Sequence, residues 1–398
     1  GASALMAQGS APPFTRAAPV AAADRIESLD ILRGIAVLGI LLLNIIGFGL
    51  PATAYSNPAT GFTHVADPWV WAGVEILAEG TMRGLFSMLF GAGVVLFIAT
   101  GKGAALHYRR SFWLLLIGLF DAYVLLWSGD ILVNYALAGA VLFVVRNAPP
   151  RQLLAAACAL LVLISVMHAA TGVRMAAAKQ AAEQVTGAAA SGAVSPEALE
   201  QAQAWSRFSQ GMVADAEAQA AELAARRQNY ATAFCWNAPR VTHMLTFILP
   251  WVLFWDALAM MLLGMALYKY GVLQGQRSRR YYMRMMVIGL SAGLLVNGYE
   301  VMRSFAADFA FLSVFAQAQP TYHLGRVAMA LGYVGLISLV LQTHGLARAR
   351  SYLAAVGRMA LSNYLMQSLL CLFIFTGAGM SLVGELHRWQ LYLVVIAI

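Results

Sequence analysis

Charge is scarce in this sequence: Asp, Glu, Lys and Arg together make up 11% of 398 residues. Soluble domains carry roughly 25% charged residues, so the chain has too little polar surface to cover a water-facing globule. Cysteine is scarce too. Cys158, Cys235 and Cys371 are the only three, and no pair stands at metal-ligand spacing, so packing is the role expected of them and no metal site is implied. No basic stripe interleaved with aromatics is present, so the net charge of +8 does not read as a nucleic-acid footprint. The first two dozen residues lack the apolar core of a secretory signal.

Apolar residues, by contrast, are abundant. They are 61% of the chain, at a mean hydropathy of +0.70, and they fall into runs near the ~20 residues that a membrane helix needs. The expected fold is all-α: a polytopic transmembrane helix bundle of about ten spans. Spans are expected over 31–50, 84–99, 112–127, 131–145, 152–170, 243–268, 282–299, 324–341 and 353–375. The short connection Ser128 to Asp130 demands an antiparallel hairpin. The apolar stretch 304–317 is too short to span and reads as interfacial or re-entrant.

Four regions follow: a disordered cytoplasmic arm with a tag scar (1–24), a five-helix bundle (25–170), an external polar helical arm (171–240) and a C-terminal bundle (241–398). The arm is rich in Ala, Gln and Glu and reads as two soluble helices that cap the bundle, dock a partner or form a homodimer, or as a mobile linker. Orientation follows from the Lys and Arg bias of short loops. Lys102, Arg109, Arg110, Lys269 and the group from Arg277 to Arg284 gather on one side, against Arg303 and Arg388 on the other. The N-terminus is therefore expected in the cytoplasm.

Ionisable groups inside membrane helices cost at least ~2.5 kcal/mol each at the helix centre, so they default to functional hypotheses. Asp30 and Arg33 stand at i, i+3 and can pair on one helix face, or simply anchor that helix at the interface. Asn44 lies eleven residues past Arg33, roughly 16 Å up the helix. Near the opposite end gather Tyr55, His64, Asp67, Glu75, Glu79 and Arg83. Asp121 falls inside the third span, Asp130 in the hairpin turn, and Arg358 and Asn363 in the ninth span. Five of seven histidines fall on the external side, and a neutral imidazole is the usual general base near pH 7. His64, three residues before Asp67, is the strongest of them. Gly91 and Gly93 allow close helix approach; no Lys-Ser/Thr follows them, so they do not form a nucleotide loop.

The order of motifs carries a resemblance. Arg25, Ser28, Leu29, Asp30, Arg33 and Gly34, then Gly39 and Asn44, resemble the opening of the bacterial YeiB-like family. The runs from Leu85 to Gly93, from Trp127 to Asp130, from Met261 to Tyr268 and from Val356 to Ser368 extend the likeness over most of the chain. The last of these resembles the family's C-terminal domain of unknown function. The N-terminal motif is also similar to that of heparan-alpha-glucosaminide N-acetyltransferase, which moves an acetyl group from cytosolic acetyl-CoA to a luminal sugar amine. In that enzyme the Asn matching Asn44 and a His a short way beyond are implicated in catalysis. Here Tyr55 stands at the matching distance and the next histidine is His64. The resemblance also implies about eleven spans, so a further span is expected past Ile398.

What the resemblance implies is a membrane-bound acyltransferase using acetyl-CoA or another acyl-CoA as donor, with no metal. Lys102, Arg109, Arg110, Arg279 and Arg280 would steer the donor's phosphates. Asp30, Arg33, Tyr55, Arg83, Arg358 and Asn363 would line the substrate path. His64, oriented by Asp67 or Asp130, would deprotonate a small-molecule, lipid or glycan acceptor, and Asn44 would donate to the developing oxyanion. Two other classes stay open: a transporter or flippase using Asp121, Asp256, Arg83 and Arg358, and a non-catalytic protein binding membrane lipids or a partner.

Overall fold

The structure is a computed structural model that describes residues 26–101, 103–188, 195–210, 215–310, 312, 320–343 and 345–398. The N-terminal arm, Lys102 and positions 311 and 313–317 of the stretch 304–317 singled out above lie outside the described residues. Helices make up the fold, in the order α1 (Glu27–Gly49), α2 (Asp67–Leu77), α3 (Thr81–Ala99), α4 (Ala104–Tyr123), α5 (Leu132–Val144), α6 (Pro150–Ala188), α7 (Pro196–Gln210), α8 (Ala216–Gln228), α9 (Tyr230–Lys269), α10 (Arg279–Ala306), α11 (Tyr322–Gln342), α12 (Ala347–Arg358), α13 (Ala360–Phe375) and α14 (Arg388–Ala397). No strand occurs among the described residues.

Six stretches are long and apolar enough to cross a membrane: α1, α2 with α3, α6, α9, α10 and α11; the bent pair α12–α13 makes a seventh. This is fewer than the ten expected, for two local reasons. The α4 helix carries Arg109, Arg110 and Asp121 within twenty residues, and α5 is only 13 residues long. The two still form the tight antiparallel hairpin that the Ser128–Asp130 turn requires. The expected ninth span, 353–375, is instead two helices meeting at 79° across Met359. The reason is close packing: a Cβ on Gly357 would stand 1.8 Å from the Asp30 carbonyl oxygen, and one on Gly34 would stand 2.1 Å from that of Leu353. The α12 helix thus lies against the first turns of α1, and the chain must turn to enter the bundle.

Two further helices differ from the hydropathy reading. The α6 helix does not stop where the composition turns polar at Thr171 but runs on to Ala188, 39 residues in all, about 58 Å at 1.5 Å per residue. The α9 helix begins thirteen residues before His243. It contains a π-helical stretch, Met244–Leu253, around Pro250, where the wider turn absorbs a residue that has no N–H to donate.

The core is built on α1, α3 and α9. The α1 helix buries Leu29, Leu32, Ala36, Val37, Ile40 and Ile45, so it is apolar nearly all round, as an inner helix of a bundle must be. The α3 and α9 helices cross at paired glycines. Gly91 sits on the Met261 backbone and Gly264 on the Met88 backbone, where Cβ atoms would approach carbonyl oxygens to 2.1 and 1.9 Å. Small residues at such a crossing let two backbones meet, which in lipid is the main source of helix association.

Candidate functional site

The end of the bundle holding the α1 N-terminus is rich in arginine. The Ser28 hydroxyl donates to the Leu273 carbonyl at 2.8 Å, which draws the loop before α10, and with it Arg279 and Arg280, to this end. Arg350 bonds both carboxylate oxygens of Glu27 at 3.1 Å. Lys269 Nζ caps the carbonyls of Arg146 and Ala148, each at 2.7 Å.

A cavity of about 680 Å³ opens at this end, between α1, α3, α4, α5 and the α12–α13 bend. Asp30, Arg33, Arg109, Arg110 and Arg358 stand around its mouth. Arg33 Nη1 pairs with Asp30 Oδ1 at 3.1 Å, the contact that the i, i+3 spacing predicts. Arg110 lies over the rings of Phe90 and Phe97, 6.0 and 5.6 Å from their centroids. Arg109 and Arg358 are exposed and have no acidic partner among the described residues. Inward from the arginines the walls are apolar: Phe86, Leu89, Leu114 and Ile117 lead to Leu132, Tyr135 and Tyr364. Seven residues separate Arg110 from Ile117 on one helix, about 10 Å of depth. The cavity is amphiphilic along its length, cationic outside and apolar within.

Beyond the inner end lies the hairpin turn. The Tyr364 hydroxyl reaches Asp130 Oδ1 at 3.5 Å and accepts from the Ile131 N–H at 3.3 Å. Asp130 Oδ2 accepts from the Val133 N–H at 2.9 Å, so the carboxyl also caps α5. Burial pushes the Asp130 carboxyl up to about 6, because the charged form loses hydration that two donors only partly replace. Tyr135 shares a 2.6 Å hydrogen bond with Ser87 Oγ. Asn44 is half-buried with no side-chain hydrogen bond to the described residues. It lies one turn before Gly47 and Phe48, both of which pack on Trp127, at the level of the Asp130 turn.

The remaining expected residues are elsewhere. His64 is exposed on the loop at the far end of the bundle, its ring 5.3 Å from that of His387. Asp67 does not orient that ring. Its Oδ2 accepts from the backbone N–H groups of Thr63 and His64 at 2.9 and 2.8 Å, and its Oδ1 from that of Trp389 at 3.0 Å. The carboxylate pins the loop to α14, and none of its bonds goes to the His64 ring, whose Nδ1 accepts instead from the Ala66 N–H at 3.1 Å. Nor does Asp130 serve His64, since it stands behind Tyr364, beyond the cavity's inner end. Asn363 bonds the Val356 carbonyl at 3.0 Å and braces the α12–α13 bend. Arg279 and Arg280 share the arginine-rich end but do not line the cavity.

Tyr55 and Arg83 belong to a second polar group. Arg83 Nη2 reaches Tyr322 Oη at 3.2 Å and Asp256 Oδ2 at 3.6 Å. Tyr322 donates to Glu79 at 3.1 Å. Asp256 also binds Arg326, which is 1% exposed and contacts His323. The nearby Glu79 charge holds the phenol of the half-exposed Tyr55 well above its ordinary range.

Sequence reasoning passed over Tyr364 and Arg326. Tyr364 lies within the Val356–Ser368 motif, and that was its only signal. Arg326 stands alone in an apolar run, three residues past His323 on one helix face, and this spacing could have marked it.

Residues 267–398 match the family described as protein of unknown function (DUF418). The chain is 31% identical over 359 residues to Escherichia coli (strain K12) "Uncharacterized protein YeiB", covering 90% of this chain and 85% of that one. It is 30% identical over 398 residues to Bacillus subtilis (strain 168) "Uncharacterized protein YxaH", covering 96% and 89%. No solved structure matches. With similarity of this extent over an all-helical apolar bundle, the chain belongs to the YeiB-like, DUF418 family, as a multi-pass membrane protein.

Proposed function

We propose that the protein is a membrane-bound acyltransferase of the bacterial inner membrane. It would take an acyl group from cytosolic acyl-CoA and deliver it to a hydroxyl or amine on a glycan, lipid or small molecule at the outer face. The observation that carries this reading is the cavity: arginines at its mouth, apolar walls, and at its inner end Tyr364, whose hydroxyl reaches the Asp130 carboxyl behind it. Such a shape suits a donor with a phosphate-bearing head and an apolar arm. Arg33, Arg109, Arg110 and Arg358 hold the phosphates, and the acyl-pantetheine arm runs between α3 and α4.

Asp130 takes the role that the sequence reading gave to His64. It accepts the proton of the acceptor as that group's oxygen or nitrogen bonds to the acyl carbon. The carbon–sulfur bond breaks, and the departing thiolate takes the proton back from Asp130. Asn44, at the same level, is the donor to the developing oxyanion, a type of contact worth ~3 kcal/mol.

The test is titration of purified protein in detergent with acetyl-CoA and longer acyl-CoA. Micromolar binding is expected, weakened roughly tenfold or more, about 1.4 kcal/mol, by Arg33→Gln with Arg110→Gln and unchanged in His64→Ala. Absence of binding to any acyl-CoA would sink the reading. A second reading, transport, draws on the buried Asp256–Arg326–His323 group, since ionisable residues inside a bundle mark substrate or proton paths. Substrate uptake or lipid scrambling in proteoliposomes without any acyl donor, lost in Asp256→Asn, would favour it.

A further inference from the structure

Asp121, in the last turn of α4, is completely buried, and neither carboxyl oxygen has a hydrogen-bond partner. The chain folds directly back over it: its own carbonyl accepts from the Trp127 N–H at 3.2 Å. One turn earlier, Gly118 gives way to the same loop, for a Cβ there would stand 2.8 Å from Asp130 Oδ2. The α4 face bearing Gly118 and Asp121 is therefore the wall on which Asp130 rests. Asp121 follows Gly118 by one turn on that face, so the two carboxyls are neighbours on the same wall, with Ser368 of α13 the nearest hydroxyl to Asp121.

Nothing cationic answers this pair. The groups facing it are Tyr364 and Ser368 from α13, Trp127 from the turn and the Val133 N–H from α5. No Lys, Arg or His forms an ion pair with either carboxyl among the described residues. Two adjacent carboxylates cannot both stay ionised in such surroundings, and two carboxylates cannot hydrogen-bond without a proton between them. The donors are divided unequally. Asp130 has the Val133 N–H and the Tyr364 hydroxyl to support a negative charge, whereas Asp121 has no bonded donor.

We propose that Asp121 and Asp130 form a proton-sharing pair just beyond the inner end of the cavity, behind Tyr364, with the proton on Asp121 and donated to an ionised Asp130. Asp121 is then a positioning residue. It holds Asp130 in place and sets that carboxylate's basicity, as the partner does in a carboxyl dyad. The catalytic meaning rests on the acyltransferase reading, but the shared proton does not.

Infrared spectroscopy of the purified protein tests it without any substrate. At pH 7 the wild type is expected to show a protonated-carboxyl stretch that shifts in heavy water. Asp121→Asn and Asp130→Asn are each expected to lose that band. In either variant the amide supplies the N–H donor and the remaining carboxyl ionises, so the proton is no longer needed. Because either substitution answers the question, failure of one to fold leaves the other decisive. A wild-type spectrum without the band, or a wild-type-minus-variant difference spectrum without it for either folded variant, overturns the pair. Loss of the band together with no acyl-CoA binding would uphold the pair and reject the acyltransferase reading.

Discussion

Arg226 shows how a single side chain from a polar stretch comes to matter to an apolar bundle. The α1 helix ends at Gly49 with carbonyls that no further turn can satisfy. Arg226 reaches from α8 to the carbonyls of Gly47, Phe48 and Leu50 at 2.7 to 3.0 Å, and pairs with Glu222 at 2.9 Å. Glu222 in turn accepts from the Ala52 N–H at 2.9 Å. Arg226→Ala leaves three carbonyls without this donor and Glu222 with only the Ala52 N–H, and breaking a buried pair costs about 3 kcal/mol or more. A lower unfolding midpoint in detergent is expected, with only partial recovery in Arg226→Lys, whose single ammonium cannot reproduce the planar fork. Asp130 gives a pH signature at the same scale. Its folded carboxyl titrates near 6, above the ordinary ~3.9, so its stabilising contribution is complete below pH 4 and is lost as pH rises through 6. The wild type should therefore lose stability relative to Asp130→Asn between pH 4 and 7, by about 3 kcal/mol at most. A difference that is flat with pH, or that grows in the opposite sense, would contradict the burial of this carboxyl.

Between helices, glycine position separates packing from cavity. Gly91 and Gly93 look alike in sequence, yet a Cβ on Gly91 meets the Met261 backbone whereas one on Gly93 meets nothing within 4 Å. Gly91→Ala should destabilise by about 1–3 kcal/mol through overpacking. Gly93→Ala should be neutral or stabilising by up to about 1 kcal/mol, from helix propensity alone. Thermal unfolding of the two variants side by side checks this, and equal behaviour would mean that the α3–α9 crossing is wrong. The contrast also shows what the sequence can reveal. Spans such as α1, α10 and α11 were legible because an apolar run is a property of the run itself. The break at Met359 was not, because it arises from Gly357 meeting α1 more than three hundred residues away. The site divides the same way. Asp30 and Arg33 pair locally and were readable from their spacing, as was the crowding of arginines toward one end. The company Asp130 keeps depends on how α4 and α13 close over the turn, and a histidine in a polar loop was the more visible candidate.

For the whole molecule, the two ends of the bundle are chemically unlike. One end has the cavity mouth with Arg33, Arg109, Arg110 and Arg358, together with Arg279, Arg280 and Arg350 around it. The other end is closed by short-range polar ties: Asp67 to Trp389, Arg388 to the carbonyls of Ala54 and Pro58, and Arg226 to the end of α1. Cytoplasmic loops retain Lys and Arg, so the open, arginine-rich end should face the cytoplasm, where acyl-CoA is, and the closed end should face outward. Single cysteines at positions 279 and 64, in a background with Cys158, Cys235 and Cys371 replaced, separate the two orientations in intact spheroplasts. A membrane-impermeant maleimide is expected to label position 64 from outside, and position 279 only after lysis. The reverse pattern would put the cavity mouth on the outer face. A cytosolic donor could then not enter it, and the arginines would instead have to receive an anionic ligand from outside.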